Sequence, residues 1–225
     1  MINIDHSKAR YLFDGFTGEA IPEELLGSFC SFLAIENLFV SATREIATKL
    51  ENLNDEFKAN MDRNPIHEIR TRVKTPKSIM DKLLHKGHEI SVESARANLD
   101  DIAGVRVICP YIDDTRMIAD MLVSQNDITL LRKSDYISNP KPNGYRSLHL
   151  VVTVPVFLSK STEHVKVEIQ IRTIAMDFWA SLEHDLAYKL PEEKAGTATR
   201  ELKECADVIH QTDERMQKLF DILIT

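Results

Sequence analysis

The sequence predicts an α+β fold, in which a mixed β-sheet of four or five strands is flanked by helices and long helices stand at both ends. Two observations support it. Apolar residues recur at helical spacing from Pro22 to about residue 60 and again near the C-terminus, whereas several segments between them alternate apolar and polar residues. With 43% apolar residues, the 225-residue chain can bury the core of one sizeable domain.

The N-terminal part is predicted to be helical after an irregular lead-in over residues 1–21; residues 22–225 are expected to form one domain. From Pro22 the apolar spacing predicts one long helix, or two helices broken near Gly27. Charges among the first ten residues argue against a signal peptide, and we expect no segment of about 20 apolar residues that would span a membrane.

The next helix has clear boundaries in "TPKSIMDKLLHKG". Thr75 is a good N-cap, Pro76 suits the first helical position, and Gly87 suits the residue after the last turn. An extended segment, "NPIHEIRTRVK", precedes this helix, and a second short helix is predicted in "SVESARANL".

Strands are predicted at "IAGVRVICPYI", "DITLLRKSDYI", "SLHLVVTVPV" and "HVKVEIQIRT", with a helix through "DDTRMIADMLVSQ" and two C-terminal helices, the last over residues 195–223. In the fourth strand the polar residues Lys166, Glu168, Gln170 and Arg172 alternate with apolar ones and must share one face. A solvated strand face would show the same alternation. Arg106 and His149 on neighbouring strands favour a site laid across the sheet.

Composition excludes several classes of protein. The net charge of −7 argues against a general nucleic-acid-binding protein, so no stable nucleic-acid partner is expected. Three cysteines, far apart and odd in number, exclude a disulfide framework and fit a reducing cytoplasm.

His85 and His88 have the spacing of zinc ligands, but no further ligands at suitable spacing complete a site.

Cations around the capped helix indicate a phosphate ligand. Lys74, Ser78 and Lys82 are four residues apart, and the helix N-terminus offers free N–H groups to an anion. A solvated helix face balanced by Asp81 would look the same. The sequence contains neither GxxxxGK[ST] nor GxGxxG, so side chains would have to hold a polyphosphate.

Carboxylates for a metal ion and a general base are also present. Asp101 stands before one predicted strand, and Glu168 lies on the polar face of another. Together they could hold Mg²⁺, and one could take a proton from an attacking hydroxyl. Asp101 and Arg106 have opposite parity, so both face the site only if the chain bends, for example at Gly104.

The loop in "KPNGYRSLHLVV" offers groups for a nucleoside. Tyr145 could stack on a base, although an ordinary half-buried loop aromatic is the alternative. Lys141 and His149 could reach phosphates or hydroxyls. Asp177, in "MDFWASLEH", could accept hydrogen bonds from the N1–H and amino group of guanine.

Four motifs in order, "RVKTPKSIMDKL", "DIAGVRVIC", "YISNPKPNGYRSLH" and "VEIQIRTIAMDFWASLEH", resemble the synthetase domain of RelA/SpoT homologues over about residues 64–190. The short chain resembles a small alarmone synthetase, most similar to the RelP type. The resemblance implies a nucleotidyltransferase-like sheet and a cytoplasmic homotetramer built through the terminal helices. It also implies a pyrophosphokinase of the stringent response, which transfers the β,γ-diphosphate of ATP to the 3′-hydroxyl of GDP or GTP and yields ppGpp or pppGpp and AMP.

The resemblance also assigns residues. It implies an ATP site of Arg72, Lys74, Ser78, Lys82 and Arg106, and a GDP or GTP site of Lys141, Tyr145, His149 and Asp177. Asp101 and Glu168 would be the catalytic carboxylates and Mg²⁺ ligands, with Glu168 as the base. Long family members carry Arg-x-Lys-Asp or Glu-x-Asp-Asp directly before the Tyr-Ile that begins "YISNPKPNGYRSLH", the segment that we call the acceptor loop. Here Ser134 stands where the lysine would, and Lys133 is one residue out of phase.

Three alternatives stay open. A nucleotide-binding regulator without catalysis would bind ATP but leave it intact. A template-free nucleotidyltransferase acting on RNA ends or small acceptors would release pyrophosphate rather than AMP. A purely structural interaction role is possible for the terminal helices, although no sequence feature demands it.

Overall fold

A computed structural model describes residues 23–61, 63–189 and 192–224. The predicted irregular lead-in over residues 1–21 lies outside the described residues. The elements in chain order are α1 (Glu23–Asn60), β1 (Glu68–Val73), α2 (Pro76–His85), α3 (Val92–Asn98), β2 (Ala103–Cys109), α4 (Ile112–Val123), β3 (Thr129–Asp135), β4 (Leu148–Phe157), β5 (Thr162–Thr173), α5 (Ile174–Lys189) and α6 (Glu192–Ile224). The predicted α+β fold, with its mixed sheet between long terminal helices, is confirmed.

The sheet has five strands in the order β1-β2-β5-β4-β3. β2 and β5 run parallel, and the other neighbours are antiparallel. β5 is central, so the alternation predicted for it decides the character of both faces. Val165, Val167, Ile169 and Ile171 are buried on the apolar face, whereas Lys166, Glu168 and Gln170 on the other face stay half-exposed.

Helix α1 packs against the sheet as one continuous helix of 38 residues. Of the two predicted possibilities the unbroken helix is observed. An added Cβ at Gly27 would meet nothing within 4 Å, so the glycine does not mark a close contact. Buried residues on both sides of it, Leu26 and Phe29, anchor this turn to the core. Each such side chain contributes roughly 1.5–3 kcal/mol of burial free energy.

Helix α1 also corrects one expectation from the sequence. The segment Leu25–Asn60 contains a window with a mean hydropathy of 1.6, which is long and apolar enough to span a membrane by length and composition. The expectation that no segment approaches this length was therefore wrong. A core helix passes the same test, and α1 buries Phe39, Ile46 and Leu50 beneath the sheet.

Helix α2 follows its predicted boundaries. The Thr75 hydroxyl accepts a hydrogen bond from the Ser78 backbone N–H at 3.3 Å, and Pro76 occupies the first position. After the last turn Gly87 adopts a φ of +70°, which other residues rarely tolerate. Its buried residues Ile79, Met80 and Leu83 attach α2 to the core, and Lys82 reaches Asp101, which precedes β2, at 2.6 Å.

Two sets of contacts hold the C-terminal helix α6 to the domain. Thr173 accepts from the Met176 backbone N–H at 3.1 Å at the start of α5 and donates to Asp213 of α6 at 2.6 Å. Further along, the Phe220 ring stacks on Tyr111 with centroids 4.3 Å apart, and the Arg63 guanidinium lies 4.3 Å from the Phe220 centroid. Helix α6 is therefore fixed at both its middle and its end.

Candidate active site

A cavity of about 670 Å³ opens on the polar face of the sheet. Five predicted site residues line it: Arg72, Asp101, Arg106, Tyr145 and Glu168. Six further polar residues line it as well, namely Arg70, Thr71, Gln170, Arg172, Ser181 and Glu183. Residues far apart in the sequence thus meet at one place, as a site laid across the sheet requires.

Strand register explains which side chains meet. Arg72 on β1, Gly104 on β2 and Glu168 on β5 form one cross-strand row. Paired residues project from the same face of a sheet. Because Gly104 has no side chain, the floor between the arginine and the carboxylate stays open. The bend expected at Gly104 is not observed, because Gly104 pairs regularly with both neighbouring strands. Asp101 and Arg106 can still face one site, because Asp101 precedes β2 and the alternation of the strand does not apply to it.

Asp101 lies between two lysines. Its Oδ2 accepts from Lys82 Nζ at 2.6 Å and lies 3.2 Å from Lys74 Nζ. Burial alone would raise the pKa of Asp101, but the hydrogen bond from Lys82 and the charges of both lysines lower it below its usual range. The other oxygen, Oδ1, is buried and makes no hydrogen bond within the described part of the chain. An ionised carboxylate thus keeps one oxygen available for a cation.

Glu168 is a half-buried carboxylate at the centre of the sheet. Its Oε1 lies 3.2 Å from His149 Nδ1, and its Oε2 accepts from Gln170 Nε2 at 3.1 Å. Burial raises the pKa of Glu168, but the hydrogen bond and charge of His149 and the hydrogen bond from Gln170 outweigh it, leaving the pKa below the ordinary value. The group can therefore accept a proton or bind a cation at neutral pH.

The two carboxylates fit a magnesium ion shared with a polyphosphate. Both carboxylates line the same cavity, so a single ion in it could contact both. Mg²⁺ is usually bound by one or two carboxylates plus substrate phosphates and water. Among residues 23–61, 63–189 and 192–224, no group of three or more His, Cys, Asp or Glu side chains could hold a metal ion without a substrate.

The predicted acceptor residues surround Tyr145. The Tyr145 hydroxyl lies 2.8 Å from His149 Nε2 and also contacts Arg172. Lys141 Nζ stands 4.9 Å from the ring centroids of both Tyr145 and Tyr136. Polar contacts therefore run from the loop through His149 to Glu168.

Asp177 lies among arginines. Its Oδ1 is 3.2 Å from Arg106 Nη1 and 3.2 Å from Arg172 Nη1, and its Oδ2 is 3.2 Å from Arg70 Nη1. The Asp177 side chain is buried, and its charge is shared by three guanidinium groups from β1, β2 and β5. In this arrangement both oxygens contact cations, and the predicted contact with guanine stays a prediction.

Ser78 stands apart from the other predicted residues. Its hydroxyl lies 2.9 Å from the Thr75 hydroxyl in the first turn of α2. Lys82, one turn later, is the α2 residue that reaches Asp101. Of the three residues predicted around the start of α2, Lys74 and Lys82 contact Asp101 of the cavity, whereas Ser78 contacts Thr75, and its place in an ATP site stays a prediction.

Residues missed from the sequence include Arg70 and Tyr136. Arg70 has the same parity as Arg72 on β1, and this alternation was the available signal. Tyr136 is the first residue of the acceptor loop. Its ring packs edge-on against that of His149, with centroids 5.2 Å apart. It belongs to the quoted "YISNPKPNGYRSLH" motif but received no role.

The stretch from Arg132 to Asp135 explains the out-of-phase lysine. Arg132 and Ser134 pair with Val151 and His149 of β4, which puts both on the face of the cavity. Lys133 points to the other face, where its Nζ lies 3.4 Å from Asp120 of α4. Lys133 therefore does not replace the lysine that long family members carry.

Comparisons with known proteins agree with this geometry. Residues 71–193 match the family model described as the region found in RelA/SpoT proteins. The GTP pyrophosphokinase YwaC of Bacillus subtilis (strain 168) is 47% identical over 169 residues, covering 75% of this chain and 80% of the relative. The GTP pyrophosphokinase YjbM of the same strain is 36% identical over 181 residues, covering 79% of this chain and 83% of the relative.

Solved structures share the fold. The small alarmone synthetase 1 from Bacillus subtilis, bound to its product pppGpp, superposes with a TM-score of 0.74 at 34% identity, covering 83% of this chain and 95% of the other. The small alarmone synthetase 2 from the same organism gives 0.74 at 40% identity, covering 85% and 98%. A family match over more than half of the chain, joined to relatives of this similarity and length, leads to one conclusion: the chain belongs to the RelA/SpoT family and is one of its small alarmone synthetases.

Proposed function

We propose that the protein is a GTP pyrophosphokinase that transfers the β,γ-diphosphate of ATP to the 3′-hydroxyl of GDP or GTP, yielding ppGpp or pppGpp and AMP. One observation carries the proposal. Glu168 lies in a single cavity between a group of cations and the aromatic acceptor loop. The related small alarmone synthetase 1 has been solved with pppGpp and with AMPCPP, which supports both nucleotides as ligands here.

The cation side of the cavity suits the donor nucleotide. Arg72 and Arg106 line it from neighbouring strands, and Lys74 and Lys82 stand at its edge beside Asp101. Side-chain cations are the available means of holding phosphates, because the chain has no glycine-rich phosphate loop. We assign these four residues to ATP, with Ser78 at the start of α2 as a weaker member of the same site.

The loop side suits the acceptor nucleotide. Tyr145 presents a ring for base stacking, a contact worth about 1–3 kcal/mol by analogy with single-strand binding. Lys141 stands over that ring, and His149 links it to Glu168. We assign these residues to GDP or GTP. Acceptance of guanine hydrogen bonds by Asp177 is part of the proposal and competes with its three arginine contacts.

Asp101 and Glu168 would hold Mg²⁺, and the free Oδ1 of Asp101 supports this role. When bound, the ion would neutralise phosphate charge and orient the transferred group. Glu168 takes the proton of the ribose 3′-hydroxyl as that oxygen bonds to the β-phosphorus of ATP. The bond from the β-phosphorus to the α,β-bridging oxygen breaks, and AMP leaves.

Product analysis tests this proposal. Purified protein is incubated with Mg²⁺, γ-labelled ATP and either GDP or GTP, and labelled products and AMP are resolved. We expect labelled ppGpp or pppGpp with an equal amount of AMP. Intact ATP would favour a catalytically silent regulator, and released pyrophosphate would favour a nucleotidyltransferase.

The Glu168→Gln variant tests the base. We expect it to retain ATP binding and to lose about 10²–10⁴-fold in turnover, because a positioned general base contributes this much. The matched control is Glu163→Gln on the same strand, whose carboxylate faces Arg96 at 2.9 Å, away from the cavity. Turnover of Glu168→Gln within threefold of the unchanged protein would remove Glu168 from this role.

We further propose a cytoplasmic homotetramer formed through the terminal helices. Helix α6 exposes a row of apolar side chains, namely Val208, Met216, Leu219, Ile222 and Leu223. Exposed apolar surface of this extent is typical of interfaces. The free cysteines fit a reducing compartment. Sedimentation equilibrium should give about four times the chain mass of 25.7 kDa; a single-chain mass would contradict the assembly.

A further inference from the structure

The backbone of the acceptor loop touches helix α6. Gly144 adopts a φ of +91°, and a Cβ added there would lie 2.5 Å from the Cβ of Ala206 and 3.4 Å from the Cα of Lys203. A real Cβ does not tolerate a contact as short as the first. The absence of a side chain at residue 144 therefore lets the loop rest directly on α6, one residue before Tyr145.

Tyr145 is packed by the same helix. It joins a small apolar cluster built around three buried residues, Trp179, Ala180 and Ala206, together with Leu202 and Ile209 of α6. Trp179 Nε1 donates to the backbone carbonyl of Leu202 at 2.8 Å, which fixes α5 against α6. The proposed base-stacking ring thus rests on a platform that the C-terminal helix completes.

Polar contacts on either side of Tyr145 reinforce this packing. Asn143 Nδ2 donates to Glu183 Oε1 of α5 at 3.3 Å. Arg146 Nη2 lies 3.5 Å from Asp207 of α6, and its Nη1 donates to the Ile137 carbonyl at 3.1 Å. Contacts to α5 and α6 therefore involve residues 143, 144, 145 and 146 in succession.

We propose that α6 is a positioning element for the acceptor nucleotide, with Ala206 as its central positioning residue. The contact of Ala206 with Gly144 sets the distance between the loop and the cavity, and this distance determines the position of the Tyr145 ring. The inference rests on the proposed stacking of Tyr145 on guanine. It predicts that changes in α6 alter acceptor binding selectively, because ATP is assigned to residues of β1, β2 and the start of α2, whereas Gly144 and Ala206 belong to the loop and to α6.

Ala206→Leu tests the proposal by kinetics. The larger side chain pushes against Gly144, and we expect KM for GDP to rise at least tenfold while KM for ATP stays within twofold. The matched control is Glu204→Leu, which introduces the same side chain two residues earlier on the same helix at an exposed position outside the apolar row of α6; both constants should stay within twofold. A merely structural role for Ala206 would change both constants together, or neither, and would overturn the proposal.

A second variant avoids any change in the core. Asp207→Lys replaces an exposed carboxylate with a cation that repels Arg146. We expect a rise of about threefold in KM for GDP and none in KM for ATP. If Ala206→Leu fails to fold, Asp207→Lys alone tests the proposal, because an unchanged KM for GDP in that variant would count against positioning by α6.

Tryptophan fluorescence gives a readout that does not depend on turnover. Trp179 is the single tryptophan of the chain and belongs to the platform beneath Tyr145. Titration with GDP in the absence of ATP should change its emission, and in Ala206→Leu the midpoint should move upward by the same factor as KM. Coupling between the loop and the helix would be refuted if GDP did not change the Trp179 emission. It would also be refuted if the midpoint of the GDP titration were the same in Ala206→Leu as in the unchanged protein.

Tyr145→Ala separates failure of the inference from failure of the function on which it rests. An unchanged KM for GDP in this variant would remove the proposed stacking, and positioning by α6 with it. A raised KM for GDP in Tyr145→Ala, combined with an unchanged one in Ala206→Leu and Asp207→Lys, would overturn the positioning role alone. Raised values in all three would support it.

Discussion

Removal of the Asp177 carboxylate should destabilise the fold through the arginines it holds together. In Asp177→Ala, Arg70, Arg106 and Arg172 lose their shared negative partner. Breaking a buried ion pair by removing one partner costs roughly 3–5 kcal/mol. The Arg172 side chain is only 5% exposed, so its pair belongs to this class.

The other two pairs contribute less, because the Arg70 and Arg106 side chains are 48% and 34% exposed and water screens their charges. We therefore expect a loss of about 3 kcal/mol, at the lower end of the range for a buried pair. This corresponds to a more than hundredfold change in the unfolding equilibrium, since every 1.4 kcal/mol is a factor of ten.

Urea unfolding at 25 °C measures this loss, and added salt should reduce it by screening the remaining repulsion. ATP alone should restore more stability to Asp177→Ala than to the unchanged protein, because its phosphates supply the missing negative charge. The control is Asp113→Ala, whose carboxylate is 70% exposed and lies 3.5 Å from Arg116; it should lose less than 1 kcal/mol. Equal losses in the two variants would refute the reasoning.

Two further predictions concern a buried acid and two adjacent cations. Burial raises the pKa of Asp213 above the ordinary 3.8. The folded state therefore binds this proton more tightly, and stability falls as pH rises from that value through the folded pKa. The amide oxygen in Asp213→Asn can still accept a hydrogen bond from Thr173. The free energy of unfolding of this variant, measured in urea, should rise relative to that of the unchanged protein as pH rises from 4 to 8. A difference between the two proteins that does not depend on pH would contradict this. Arg132→Ala should lower kcat/KM at least tenfold, because it removes a cation from the cavity face of β3; its partner Asp100, at 2.9 Å, stays paired with Lys166 at 3.0 Å. Lys133→Ala on the opposite face should stay within twofold, and equal effects would contradict the register.

Much of the fold could be predicted because its signals are local. Strict alternation assigned β5 and its polar face, and Thr75 with Gly87 bounded α2. A break at Gly27 could not be excluded, since glycine disfavours a helix by about 1 kcal/mol. The structure shows why it does not break: Leu26 and Phe29 bury their side chains on either side and outweigh that cost.

The site was less predictable, since its residues meet through pairing register and packing rather than spacing. Glu168 and the cations were found because they share the polar face of neighbouring strands. Arg70 was missed because an arginine on an edge strand looks like an ordinary solvated residue. The contact between Gly144 and Ala206 joins positions that are 62 residues apart in the sequence, and no local sequence pattern predicts it.

The charge distribution explains how an acidic protein can select a short polyanion. Positive charge is concentrated in the cavity, because it is lined by Arg70, Arg72, Arg106 and Arg172. Burial and the nearby charge of Arg172 lower the pKa of Arg106. The whole chain carries a net charge of −7, but at physiological salt the Debye length is about 8 Å, so exposed acidic residues farther than this from the cavity are largely screened. A long nucleic acid would extend beyond these cations, along a chain whose net charge is negative. A nucleotide fits a cavity of about 670 Å³ and experiences only the local field, which favours mononucleotide substrates over nucleic acid.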